Sequence, residues 1–285
     1  MDLSRVFIGP AGWSYKDWEG KVYPEPRPRG FDPLVYLSQV FPVIEVNSSF
    51  YRPPSARMSE AWAKRTPDSF VFTVKAWERF SHDQETFTEA DARLFQEGIA
   101  PLLGAGKLGA ILLQFPWFFR DDEKARDRIR RAADALRGWA PLVIELRHTS
   151  WLDALDFVRG LELNFCNIDQ PPSSTAITGT RIVTGPIAYV RLHGRNAKAW
   201  FDKKAGVNEK YDYLYSREEL RLWEDAIREM EAEKLFLILN NHFQGKAIAN
   251  AFMLMKALGM EKVPPPTVEE AYREALSSPR EGRPG

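Results

Sequence analysis

The sequence predicts an α/β fold: a single (β/α)8 TIM-like barrel with an irregular link between its sixth and seventh strands. Three observations carry that prediction. Eight short apolar runs recur along the 285 residues, helical patterns fill most of the intervals between them, and the runs become polar at the same, C-terminal end. Strands alternating with helices imply a parallel sheet with right-handed crossovers, and eight such units fit a closed barrel, which takes roughly 250 residues.

The runs, in order, are VFIG (6–9), VIEVN (43–47), FVFTVK (70–75), GAILLQF (109–115), LVIELR (142–147), LNFCNID (163–169), AYVRLH (188–193) and LFLILNN (235–241). Residues 121–137 open with acids suited to a helix N-terminus, and Ala125, Ile129, Ala132, Ala133 and Leu136 form one stripe whose arginines fall on the solvated faces. Residues 216–232 repeat the pattern, with Ser216 as N-cap ahead of Glu219 and an apolar stripe of Leu220, Trp223, Ile227 and Met230. Residues 245–258 close the series through Ile248, Ala251, Phe252, Met255 and Leu258, with Gly259 as the stop. The link QPPSSTAITGTRIVTG (170–185) is too rich in Pro, Gly and Thr for a regular helix. The reading is one barrel domain over residues 1–262 and a C-terminal extension over 263–285, with a short helix around Val268–Leu276 and a disordered SSPREGRPG tail.

Bulk properties narrow the function classes. Acidic and basic residues balance at 39 each, which gives no support to a general nucleic-acid binder. A single cysteine, Cys166, excludes an internal disulfide and fits a reducing compartment. No basic-then-apolar leader opens the chain and no apolar stretch reaches 18 residues, so a cytoplasmic protein without a membrane span is expected.

The strand ends carry the chemistry. Side chains alternate along a strand, and residues two apart lie about 6.5–7 Å from each other on one face. Glu45 and Asn47 share a face, as do Thr73 and Lys75, Glu145 and Arg147, and Asn167 and Asp169. Leu112 leads to Gln114, and Arg191, His193 and Arg195 keep one parity if the chain stays extended. The eighth strand leads to Asn240 or to Asn241, depending on which face is internal. A carboxylate buried alone is costly, so Glu45 is expected within a ring of compensating charges above a dry barrel floor. Barrel active sites lie at this end of the strands.

The chain carries GWSYKDWEGKVYP (12–24), EVNSSFYRPPS (45–55), WAKRTPDSFVFTVK (62–75), LGAILLQFPWFF (108–119), ELRHTSW (145–151), YVRLHGR (189–195), YDYLYSREEL (211–220) and LNNHFQGKAIANA (239–251). In these motifs and their order, over roughly residues 6 to 260, the sequence resembles the domain of unknown function 72, or YecE-like, family. The resemblance implies a TIM-barrel-like fold and leaves the reaction open. It places Trp13, Tyr15, Glu45, Asn47, Phe50, Tyr51, Lys75, Gln114, Glu145, Arg147, Trp151, Arg191, His193, Gly194, Arg195, Tyr211, Tyr213, Asn240 and Asn241 at family motif positions. Two departures stand out: His242-Phe243 within LNNHFQG, and Ser81-His82 where the family often has a Thr-His pair.

The favoured reading is an enzyme for a small anionic, phosphate- or carboxylate-bearing substrate. Glu45 or Glu145 serves as general base and His193 as acid. Arg147, Arg191 and Arg195 hold the anion, since guanidinium forks suit carboxylate and phosphate. Asn47, Gln114 and Asn240 orient it, and Trp13, Tyr15, Phe50, Tyr51 and Trp151 ring the mouth. Lys75 is read first as an ion-pair partner or anion contact, with imine chemistry the lesser alternative. A divalent-metal phosphoesterase would draw on Glu45, Glu145, Asp169, His148 and His193, against the repulsion of nearby arginines. No metal ligand set is assigned and the cofactor is unknown. A nucleic-acid role would rest on Phe50-Tyr51-Arg52 and Trp117-Phe118-Phe119-Arg120; a non-catalytic binder would use the same mouth.

Overall fold

In the computed structural model of the chain, which describes residues 2–83, 87–202 and 204–277, eight parallel strands wind into a nearly closed barrel. They are β1 (Val6–Pro10), β2 (Val43–Val46), β3 (Val71–Lys75), β4 (Leu108–Gln114), β5 (Leu142–Glu145), β6 (Asn164–Asp169), β7 (Ile187–Leu192) and β8 (Lys234–Leu239). Each expected run lands on a strand. The order β1-β8-β7-β6-β5-β4-β3-β2 is that of a (β/α)8 barrel. The first and last neighbours meet through an Ala11–Glu45 bridge, with Gly12 N–H donating to the Glu45 carbonyl at 2.8 Å. Gly9 permits this closure: a Cβ there would stand 1.9 Å from the Val43 carbonyl oxygen.

The connections hold α1 (Pro33–Ser38), α2 (Ala56–Arg65), α3 (Glu89–Gly104), α4 (Glu123–Leu136) and α5 (Leu155–Gly160), one after each of β1 to β5. The β6–β7 link contains no helix, as its composition requires. Between β7 and β8 run α6 (Ala197–Phe201), α7 (Val207–Lys210) and α8 (Arg217–Glu229), and α9 (Lys246–Leu258) follows β8. The stripe of α4 is buried in full, and Ser216 caps α8 in a reciprocal box with Glu219. Gly259, at φ +82°, takes the left-handed conformation that ends α9. The expected single helix after residue 263 is two short ones, α10 (Pro266–Ala271) and α11 (Arg273–Ser277), which break at Tyr272. They pack on the barrel: Val268 is buried, and the Tyr272 hydroxyl donates to the Gln244 carbonyl. Of the SSPREGRPG tail, all but the first residue lies outside the described residues.

The barrel floor is apolar, with the Phe236 ring in contact with both Phe7 and Tyr189. Above it the interior turns polar, and there the site begins. No helix among the described residues is long and apolar enough to cross a membrane.

Candidate functional site

Arg191, projecting inward from β7, is the hub. Its Nε and Nη2 donate to the two oxygens of Glu45 on β2, at 3.1 and 2.7 Å. Its Nη1 donates to Glu145 on β5 at 2.5 Å and to the Gln114 side-chain oxygen on β4 at 3.0 Å. The Tyr189 hydroxyl, one layer down, contacts both Glu45 and Thr73 at 2.9 Å. Five strands are thus tied together by one guanidinium and its partners. All these charges are buried, with Glu45 and Glu145 at 0% exposure and Arg191 at 1%. Burial favours the neutral carboxyl of Glu145, but Arg191 and Arg147 outweigh it and hold its pKa well below the usual carboxylate range. Burial likewise opposes the Arg191 charge, and Glu45 and Glu145 overcome it. Both carboxylates have their oxygens filled by donors, an arrangement that makes a rigid frame.

Above the hub sits a relay of neutral groups. The Asn47 amide donates to Asn240 at 3.4 Å, and the Asn240 amide lies 2.9 Å from His193 Nδ1. The other ring nitrogen, Nε2, lies between Glu145 at 3.3 Å and the Arg147 Nη2 donor at 3.2 Å. Burial lowers the His193 pKa to about 3, so the ring is neutral at physiological pH. Arg147 donates through Nε to Glu145 at 2.8 Å. It is the guanidinium that keeps some access to the mouth, its side chain 10% exposed.

Lys75, on the same inner face as Thr73, differs from every other cation here. Among the described residues its ammonium makes no salt bridge and no hydrogen bond, although its backbone carbonyl accepts from the Ser49 hydroxyl at 2.6 Å. Its ammonium lies 3.7 Å above the Phe50 ring. Burial, followed by the Arg191 charge, lowers its pKa to about 7. His82 meets the same Phe50 ring edge-on at 4.9 Å and is held near pKa 4, chiefly by burial. An arc of rings runs along the rim: Trp200 of α6 against Tyr211, Tyr211 against His242, and His242 stacked on Tyr15 at 4.5 Å. Trp200 and Tyr211 also reach His193, and Arg147 lies 5.8 Å over Trp200.

Of the residues expected at the mouth, the structure gathers Glu45, Asn47, Phe50, Lys75, Gln114, Glu145, Arg147, Arg191, His193, Asn240 and Tyr15. Others go elsewhere. Asp169 lies on the outer face of β6 and accepts from Arg195 (2.8 and 2.6 Å), the Tyr215 hydroxyl and the Trp223 indole of α8. The inward position on β6 belongs to Cys166, 4.0 Å from Glu145. Arg195 leaves the mouth because Gly194, at φ +92°, breaks the extended parity. Asn241 points outward to the Tyr213 carbonyl and Asn250. Trp151 is fully buried, stacked on Phe119 with its indole donating to the Phe119 carbonyl. Trp13 stands edge-on to Trp62 of α2 and to Phe72 on the outer side of β3. Tyr51 is 71% exposed beside Phe50. His148 bonds Ser150 at the start of the following 3-10 turn. Among the described residues no three His, Cys, Asp or Glu side chains converge as a metal site would require.

Sequence reasoning passed over Tyr189 as an anchor of Glu45, although its parity with Arg191 was visible. Trp200 and His82 gave no periodic signal, because Trp200 stands on the five-residue helix α6 and His82 on a turn beyond β3.

Fold and site together define a single-barrel protein with a cluster of buried charges and an arc of aromatic rings at the C-terminal mouth. The chain belongs to the family described as Protein of unknown function DUF72, which it matches over residues 7–273. It is 30% identical over 275 residues to the UPF0759 protein YunF of Bacillus subtilis (strain 168), covering 90% of this chain and 95% of the relative. A DUF72 family protein from Thermotoga maritima, solved by crystallography, shares 30% identity with a TM-score of 0.79, over 89% of this chain and 99% of that one. One from Enterococcus faecalis V583 shares 25% identity with a TM-score of 0.80, over 92% and 98%.

Proposed function

We propose that the barrel mouth binds a small anionic molecule, bearing phosphate or carboxylate, and transforms it by general acid/base chemistry. The observation that carries this reading is the pairing imbalance at the rim. Glu45 and Glu145 are already answered by Arg191 and Arg147, so Lys75 is a cation in excess, partly covered and with no carboxylate of its own. A low-dielectric pocket with one surplus positive charge favours an anion, and Arg147 beside it offers planar N–H donors. The carboxylates fit a framing role better than the base role expected from sequence, since donors occupy their oxygens. Lys75, titrating near neutrality, is the better match to a proton-exchanging group. The tyrosine, tryptophan and histidine arc supplies the apolar wall that small-ligand sites use.

The test is a thermal-shift screen of phosphorylated and carboxylated metabolites. The reading expects stabilisation by a subset of anions, lost in Arg147→Met. No stabilisation by any anion at millimolar concentration sinks it. Turnover without loss in Lys75→Met would leave binding as the function of that lysine. A nucleic-acid role finds one supporting feature, the exposed Trp117 and Phe118 beside Arg120 on the β4–α4 loop; salt-dependent retention on DNA or RNA decides it.

A further inference from the structure

We propose that Lys75 is a nucleophile that condenses with the carbonyl group of a small anionic aldehyde or ketone, so that the site works through an imine. The inference rests on the anion-site reading above and names the substrate class.

Three placements support it. Lys75 ends β3 with its amine recessed in the mouth, over the face of Phe50 at 3.7 Å, with no acidic partner among the described residues. An ion-pair lysine would show a carboxylate in contact; the two nearby carboxylates are instead fixed on Arg191 and Arg147. A partly covered amine with no carboxylate in contact and with the Arg191 and Arg147 charges close by loses its proton near neutral pH, so that its charged form draws the anion and its neutral form is the nucleophile. Next, β2 and β3 pair side by side, with Asn47 directly following β2 at the start of a 3-10 turn and Lys75 ending β3. The buried Asn47 Oδ1 has no hydrogen-bond partner, so the neighbouring strand end presents an acceptor for a substrate hydroxyl. Lastly, the His82 ring stands perpendicular to the Phe50 ring that carries the Lys75 amine, with centroids 4.9 Å apart, and it hydrogen-bonds Ser81 through Nδ1 at 2.8 Å. A neutral imidazole there can move a proton between the amine and the departing oxygen.

The step balances without a co-reactant. The Nζ lone pair attacks the carbonyl carbon and the C–N bond forms as the C=O π bond opens. The carbonyl oxygen takes the two protons that the amine gives up and leaves as water, and the C=N bond closes. Arg147 holds the substrate's anionic group, and Asn47 takes a hydroxyl where the substrate has one.

The experiment uses the full-length protein at neutral pH with sodium cyanoborohydride and two matched aldehydes, glyoxylate and acetaldehyde, followed by peptide mapping. Lys75 is expected to be alkylated at least roughly tenfold faster than exposed Lys64, with glyoxylate preferred over acetaldehyde and inorganic phosphate slowing the reaction. Lys75→Arg removes the fast adduct while circular dichroism stays unchanged. Labelling of Lys75 no faster than Lys64 with either aldehyde overturns the inference. If glyoxylate raises the melting temperature yet leaves Lys75 unmodified, the imine is wrong and the anion site stands. If acetaldehyde labels Lys75 as fast as glyoxylate, phosphate has no effect and no anion stabilises the fold, the nucleophile stands and the anion site is wrong.

Discussion

At the scale of single residues, the buried charges make opposite demands. Arg191 holds two carboxylates that cannot both remain ionised in the interior without it. Replacing one partner of a buried pair leaves the other unanswered, which costs about 3–5 kcal/mol. Arg191→Met is therefore expected to destabilise the fold by that amount in urea denaturation. Glu45→Gln, which leaves Arg191 paired with Glu145, should cost less than half as much. Lys75 behaves in the reverse sense. Its folded pKa of about 7 lies below the 10.5 of an ordinary lysine, so between those values the unfolded chain binds the proton and the folded chain does not. Stability then rises with pH across that window. The penalty is fully present below pH 7 and fades toward 10.5. Lys75→Met should thus be more stable than the natural chain by about 2–4 kcal/mol at pH 6, with the advantage shrinking by pH 10. An advantage that is constant with pH would show that the amine is not held neutral.

At the scale of elements, alternation explains both what was legible and what was not. On β2, β3, β5 and β7 the inner face could be read directly, because Glu45, Lys75, Glu145 and Arg191 follow apolar positions of the same parity. On β6 the same rule chose the wrong face. Asn167 and Asp169 are polar at the strand end, but they face α8 and the irregular β6–β7 link, where Asn167 bonds Ile182 and Thr180. A polar pair at a strand end satisfies either a mouth or a loop, and periodicity cannot separate the two. On β8 the choice between Asn240 and Asn241 needed the position of Phe236 in the barrel floor. Arg195 was lost to the left-handed turn at Gly194, where an added Cβ would stand 2.7 Å from Tyr213. The outer cluster gives a contrast with the mouth. Asp169→Asn removes the charge that Arg195, Tyr215 and Trp223 share, and should lower stability by about 1–3 kcal/mol. It should leave anion affinity at the mouth unchanged in calorimetry. An equal loss of affinity would place Asp169 in the site after all.

At the scale of the whole molecule, the barrel concentrates its titratable groups in one acid-sensitive zone. Burial holds His193 near pKa 3 and His82 and His242 near 4, each against an ordinary 6.5. As pH falls from 6.5 toward 3, the unfolded chain takes up protons that the folded chain refuses, so stability is lost across that interval. Glu145, held below its usual value, adds to the loss under pH 4.5. The melting temperature is expected to drop steadily below pH 6.5, and His82→Phe should make that decline shallower. A flat profile down to pH 4 would contradict the neutral assignment of these rings.

Zero net charge and the dry floor were evident from composition and pattern, and so was the eight-strand order. The rim arc was not, because Trp200, Tyr211 and His242 come together only when the long β7–β8 connection folds back over the mouth. Anion binding at that rim depends on its surplus charge. Calorimetric titration of the best anion from a metabolite screen, into the natural chain and into Lys75→Met and Arg147→Met, tests it most directly. Binding by the natural chain that weakens by at least about tenfold in each variant, or roughly 1.4 kcal/mol, is the predicted result. Equal affinity in all three proteins would contradict it.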